Sequence, residues 1–242
     1  MKILSIGNSF SEDAQRWLHS LAQLEGVDIS TANLYIGGCS LETHWRNALE
    51  NNPFYDYQVN GNEAMEKISI DEALHRDNWD IVTLQQVSDL SGIPESYEPY
   101  ISSLYERVKS TLPDAEIYLH RTWAYEIDTV HPGFANYGCN QKEMHLRIQA
   151  TTKEISKKLN TKIIPTGDII QYLRENCTAF DYQNGGASLC RDGYHLTYDI
   201  GRFAAAAVWF VSLTGKKITI TDFENFDKNL LSEIIKTVNY II

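Results

Sequence analysis

The chain has no cluster of basic residues. Lys and Arg number 21 against 32 Asp and Glu, for a net charge of −11, and the densest basic run is Lys157-Lys158. A nucleic-acid surface needs grouped Lys and Arg to neutralise phosphates, so this balance argues against such a partner. No run of about 18 apolar residues occurs either, so no membrane span is expected. Cysteine is scarce. Cys39, Cys139, Cys177 and Cys190 have no metal-ligand spacing and are too few for a disulfide framework. Free thiols and a cytoplasmic location are the expectation, because no apolar leader with a cleavage site precedes the first strand. A periplasmic or secreted protein stripped of its leader would instead allow a Cys177–Cys190 bridge. His44, His120, His131 and His145 fall outside any His-x-His or His-x-x-x-His spacing, so no metal and no other cofactor is expected.

What is present is an alternation of short apolar strands and amphipathic helices, the pattern of a parallel sheet covered on both faces. Strands are read at Ile3–Ile6, Val27–Ile36, Asp80–Leu84, Glu116–His120 and Lys162–Pro165. Helices are read at 12–25, 41–49, 97–111, 141–159, 167–176 and 198–213, with a weaker one after Asn229. Residues 51–78 are polar and irregular and suit a hairpin excursion followed by a short helix at Asp71–His75. Neither a linker nor a repeat interrupts the pattern, so 1–242 is read as one α/β domain.

Ligands of an open parallel sheet bind outside the carboxyl ends of its strands. Three polar clusters lie at such ends and a fourth in a late loop. Gly7-Asn8-Ser9-Phe10-Ser11 follows the first strand and puts Ser9 at a helix start. Ser9-x-x-Glu12 also reads as a capping box and Ser11 as an N-cap. Gly37-Gly38-Cys39-Ser40 follows the second strand, where a glycine presents its N–H unobstructed. Gln85-Gln86 ends the third, and alternation lets only one of the two amides face Ser9. Asp192-Gly193-Tyr194-His195 spaces a carboxylate and an imidazole so that one ring nitrogen is held and the other is left to take a proton. Trp123 and Tyr125, just after the fourth strand, are candidate pocket walls, with Gln86 as a further candidate substrate contact.

These four clusters, in this order, resemble the SGNH (GDSL-like) hydrolase superfamily. Gly7-Asn8-Ser9-Phe10 is similar to its first block, Gly38 to its second-block glycine, and Asp192-x-x-His195 to its last block. Asn8 replaces the usual Asp, and Leu84-Gln85-Gln86-Val87-Ser88 stands where Gly-x-Asn-Asp is usual; Gln85 fits the Gln-containing block of some carbohydrate-esterase branches better than Gln86 does. The resemblance implies a three-layer α/β/α flavodoxin-like fold and a metal-free serine esterase. Ser9, His195 and Asp192 would form the triad, with the Ser9 and Gly38 N–H groups and Gln85 as the oxyanion hole. It implies a small-molecule or glycan ester as substrate, an O-acetylated carbohydrate first and a lysophospholipid or short acyl ester second. A flavodoxin-like domain that binds a ligand without catalysis is the alternative, and it would place no demand on Ser9, Asp192 and His195 to meet.

Overall fold

In a computed structural model, which describes residues 1–64 and 66–242, a seven-stranded sheet carries helices on both faces. The chain runs β1 (Lys2–Gly7), α1 (Ser9–Gln15), α2 (Leu18–Leu24), β2 (Ser30–Tyr35), α3 (Leu41–Glu50), β3 (Tyr55–Val59) and β4 (Lys67–Ile68). It continues with α4 (Ile70–Arg76), β5 (Ile81–Leu84), α5 (Tyr100–Thr111), β6 (Glu116–His120) and α6 (Gln141–Leu159). The last elements are β7 (Lys162–Ile164), α7 (Thr166–Asn176), α8 (Ile200–Thr214) and α9 (Lys228–Ile241). Strand order is β4-β3-β2-β1-β5-β6-β7. The five parallel strands β2-β1-β5-β6-β7 have the flavodoxin order, in which the winding reverses between β1 and β5.

Period-two alternation splits the core in two. Ile3 of β1 faces a layer built from α1, α2, α7, α8 and α9, while Leu4 and Ile6 face α3, α4 and α5. Helix α8 is apolar almost all round and is buried from Ile200 to Val211. Its four alanines, Ala204–Ala207, bring its backbone close to its neighbours. A helix of that composition belongs inside a layer, and α8 lies under α1, α2, α7 and α9.

The sheet is mostly parallel; the hairpin expected within residues 51–78 is formed by β3 and β4, which pair antiparallel and extend the β2 edge, with α4 after it. One sequence expectation changes here. The helix expected over 12–25 is two helices, broken at Arg16-Trp17. Gly61, at φ +73°, lies so close that a Cβ there would sit 2.4 Å from the Arg16 carbonyl. At the same break the Trp17 indole donates to the Tyr198 carbonyl at 2.9 Å. Long-range packing sets the break, and the local pattern carries no trace of it. All four cysteines are free thiols, Cys177 and Cys190 included.

Each face of the sheet also buries one histidine. His44 bonds the Tyr55 hydroxyl at 2.9 Å, and His120 lies between Gln85 and Thr166; burial pushes both pKa values down to about 3. The unfolded chain binds these protons from about pH 6.5 downward while the folded chain refuses them. Their contribution is therefore whole above pH 6.5 and is lost as pH falls toward 3. Stability should drop by about 3 kcal/mol between pH 6.5 and 5 from the pair together, at a limiting slope of about 1.4 kcal/mol per pH unit each. Urea melts across that range check it, and His120→Gln should roughly halve the slope. A slope unaltered in His120→Gln would mean that this ring titrates normally in the fold.

Candidate active site

Ser9 is the first residue of α1, and the capping work around it is done by its neighbours. Asn8 is the N-cap: its Oδ1 accepts from the Phe10 N–H at 3.0 Å, and its own N–H donates to Ser11 Oγ at 3.0 Å. Glu12, expected as a capping partner of Ser9, accepts instead from Gln58 Nε2. The Ser9 hydroxyl is thus released from capping, and it lies 2.9 Å from His195 Nε2.

His195 is held by its own loop. Asp192 Oδ2 lies 2.7 Å from His195 Nδ1, while Asp192 Oδ1 accepts the N–H groups of Tyr194 and His195. Burial raises the Asp192 carboxyl, but the His195 ring and these two N–H groups outweigh it and hold the pKa below the usual carboxylate value. With the carboxylate on Nδ1–H, Nε2 of the neutral ring is the acceptor that faces Ser9.

Asp13 ties the two segments together, and sequence reasoning missed it. It stands one turn beyond Ser9 on α1 and is fully buried. Its carboxylate takes Arg202 Nε at 2.7 Å, the Leu196 N–H at 2.8 Å and Arg191 Nη1 at 3.2 Å. Arg191 immediately precedes Asp192 and Leu196 immediately follows His195, so one carboxylate grips both ends of the loop. A single buried acid in an amphipathic helix gives no pattern that would single it out.

The two glutamines lie beneath this layer, outside the pocket. Gln85 Nε2 donates to Asn8 Oδ1 at 2.7 Å, and Gln85 Oε1 accepts from His120 Nδ1 at 2.6 Å. The orientations follow in sequence. Asn8 Oδ1 must be an oxygen because Phe10 N–H points at it, so Gln85 presents nitrogen there and oxygen to His120, whose Nε2 then accepts from Thr166. Asn8 Nδ2 donates to the Cys39 carbonyl at 3.1 Å, which ties the Gly37-Gly38 turn to the Ser9 turn. Gln86 accepts the Leu41 N–H and donates to the Ser96 carbonyl, a loop-fixing role. Gln85→Ala should lower kcat on an activated ester by about 10- to 100-fold, less than the loss of a direct oxyanion donor. Gln86→Ala should cost stability with kcat kept within about threefold. The reverse order in a pair of kinetic assays would put the functional amide on Gln86.

Trp123 and Tyr125, expected as walls, are fully buried behind them. Trp123 stacks on Phe10 at 4.2 Å and its indole donates to the Tyr194 carbonyl, while the Tyr125 hydroxyl pairs with Ser88 Oγ. They support the wall and do not form it. The pocket at Ser9 has a volume of about 430 Å³ and is lined by Gly37, Gly38, Tyr35, Asp89, His131 and Tyr194, among others. Tyr35 ends β2 and Asp89 follows β5, so both come from the strand ends that the fold rule points to. His131 and Tyr194 continue an aromatic row that ends on His195, with ring centroids 4.8 and 4.3 Å apart. Gly38 is at φ +64°, a left-handed turn with no side chain over it. No Lys or Arg is among the lining residues.

Comparison with known proteins gives the same architecture. The profile of a domain of unknown function, DUF4886, matches residues 2–240. A DUF4886 family protein from Bacteroides uniformis is 35% identical, with a TM-score of 0.91 over 99% of this chain and 93% of that one. A proposed SGNH hydrolase from Slackia heliotrinireducens superposes with a TM-score of 0.59 at 21% identity, over 88% of this chain and 98% of that one. An acetylxylan esterase from Geobacillus stearothermophilus does so with 0.56 at 15% identity, over 91% and 97%. The fold is thus that of the SGNH hydrolases. No curated protein matches the chain. No helix among the described residues is long and apolar enough to cross a membrane.

Proposed function

The chain belongs to the DUF4886 family, and we propose that it is a serine esterase that removes a small acyl group from a carbohydrate. The observation that carries this is the unbroken run from Ser9 Oγ through His195 to Asp192, at 2.9 and 2.7 Å, with Ser9 and His195 lining a pocket at the carboxyl edge of the sheet. A binding domain without catalysis would have no need of that alignment.

Ser9 Oγ attacks the ester carbonyl carbon as its proton passes to His195 Nε2, and Asp192 stabilises the imidazolium. The carbonyl oxygen becomes an oxyanion that meets the N–H groups of Ser9 and Gly38. Gln85, through Asn8 and the Cys39 carbonyl, keeps those two segments in register. Collapse breaks the bond to the alcohol, which leaves with the proton from Nε2 and makes an acyl-Ser9. Water then attacks the acyl carbon, gives a proton to Nε2, and releases the acid with the Ser9 hydroxyl restored.

The lining supports a neutral sugar as the alcohol. Tyr35, Ser88, Asp89, His131 and Tyr194 offer hydroxyl, carboxylate and ring-nitrogen partners, and no cation awaits a phosphate. That disfavours a lysophospholipid. The fold shared with an acetylxylan esterase agrees with this reading and adds only analogy. The test is ester turnover and fluorophosphonate labelling of the wild type beside Ser9→Ala; an unlabelled wild-type protein would sink the proposal.

A further inference from the structure

A second cleft, of about 650 Å³, opens between the start of α6, one side of α7 and the turn at 181–184, and shares no lining residue with the pocket at Ser9. Its size is within the about 300–1,000 Å³ common for ligand sites. Its walls are rich in side-chain amides: Asn140, Gln141, Gln171, Gln183 and Asn184. The protein uses only part of what they offer. Asn140 Oδ1 caps α6, which leaves its NH2. Gln141 Nε2 donates to the Tyr125 carbonyl and to Glu126, and Asn184 Nδ2 to Asp181, which leaves two carbonyl oxygens. The cleft therefore presents donors and acceptors side by side.

Two residues that line it, Gln171 and Arg174, each keep a buried polar atom without a partner among the described residues. Gln171 is 4% exposed and donates to Glu175, yet its Oε1 accepts nothing. Arg174 is 8% exposed and bonds the Ala124 carbonyl, Glu126 and Cys190, yet its Nε donates to nothing. Buried polar atoms are rarely left this way, and a ligand group or its replacement water is the usual remedy.

Charge and shape narrow the occupant. Glu175 and Asp181 are set against Lys142 and the Arg174–Glu126 pair, so an ion of either sign meets repulsion as well as attraction. A polyol, whose hydroxyls donate and accept alike, satisfies the mixture. Tyr182 adds a platform: the residue is 38% exposed, and its hydroxyl is pinned to Asp128 Oδ2 at 2.8 Å. A fixed aromatic face beside amide donors and acceptors suits the apolar face and the hydroxyls of a pyranose ring.

We propose that this cleft is a glycan-binding subsite that holds an unesterified segment of a neutral oligosaccharide. Its lining is joined to the loop that carries His195, since the Glu126 N–H donates to the Gly193 carbonyl at 2.7 Å while the Glu126 carboxylate holds Arg174 and Ser188.

The proposal stands apart from the esterase reading, because it concerns sugars that carry no ester. Calorimetric titration of the whole protein with β-1,4-linked hexasaccharides of xylose, glucose and mannose, and with an oligogalacturonate, tests it. At least one neutral sugar should bind with a Kd of about 1 mM or tighter. Ser9→Ala should bind it as the wild type does, whatever happens to ester turnover. Tyr182→Ala and Gln183→Ala, both surface changes with unaltered melting, should each weaken it about tenfold or more. No binding of any neutral sugar, tighter binding of the galacturonate, or unaltered affinity in both variants would overturn it.

Discussion

Replacing Ser9 by alanine should leave a folded protein whose turnover of an activated acyl ester falls by about three to six orders of magnitude. The fall is large because no other hydroxyl among the described residues is bonded to His195 Nε2, and the retained fold follows from the capping. Asn8 and Ser11 close the first turn of α1, so the Ser9 hydroxyl has no backbone partner to lose. The change in stability should stay within about 1 kcal/mol, the cost of a lost cap and thus an upper bound here. His195→Ala should fall about as far, and the double variant no further, because groups that act as a unit are lost as a unit. Residual turnover within about tenfold of wild type in Ser9→Ala would move the nucleophile elsewhere.

The largest effect on stability should come from Asp13. Asp13→Ala leaves two guanidinium groups and the Leu196 N–H facing a cavity, and breaking a buried pair in this way costs about 3–5 kcal/mol. Against a total of about 5–15 kcal/mol, that is a substantial part of the fold. Asp13→Asn keeps the shape and one acceptor and should cost less, yet both variants should lose fluorophosphonate labelling out of proportion to their stability. The loop that carries Asp192 and His195 is then unpinned at both ends while the sheet persists. Urea melts and labelling rates measured on the same samples check this. An Asp13→Asn protein that labels at the wild-type rate would make the clamp purely structural.

What was legible in the sequence, and what was not, divides by the range of the interaction. Glu116–His120 and Gln141–Leu159 are strand and helix with the bounds the pattern gives, because burial on one or two faces writes its period into consecutive residues. Ser9, Asp192 and His195 could be nominated because their residue types sit at a strand end and across a short turn. The antiparallel β3–β4 pair was less legible, since Tyr55–Val59 is a largely polar strand that buries only Tyr55 and Gln58, without the period-two pattern, and its edge partner β4 is two residues long. The break at Arg16 and the role of Asp13 depend on residues far along the chain, and no local window contains them. Gln85 was readable as a polar strand end; that its amide is spent on Asn8 depends on the orientation that Asn8 and His120 enforce. The burial of Trp123 and Tyr125 was hidden for the same reason: an aromatic after a strand reads alike whether it forms a wall or braces one.

The grip of Asp13 also sets an order of events during synthesis. Its partner Arg202 lies 189 positions further on, and Ser9 and His195 are 186 positions apart. At about 5–20 residues per second a ribosome needs roughly 10–40 s to cross that interval. For most of it Asp13 lacks both Arg191 and Arg202, and β1, which will be central, lacks the α8 layer on one face. A nascent or truncated chain that ends before Arg191 has neither of the cations that pair with Asp13 nor the imidazole that meets Ser9. The proposed esterase site can therefore be assembled only once the segment from Arg191 to Arg202 has emerged, and shorter chains should be inert toward esters and open to proteolysis.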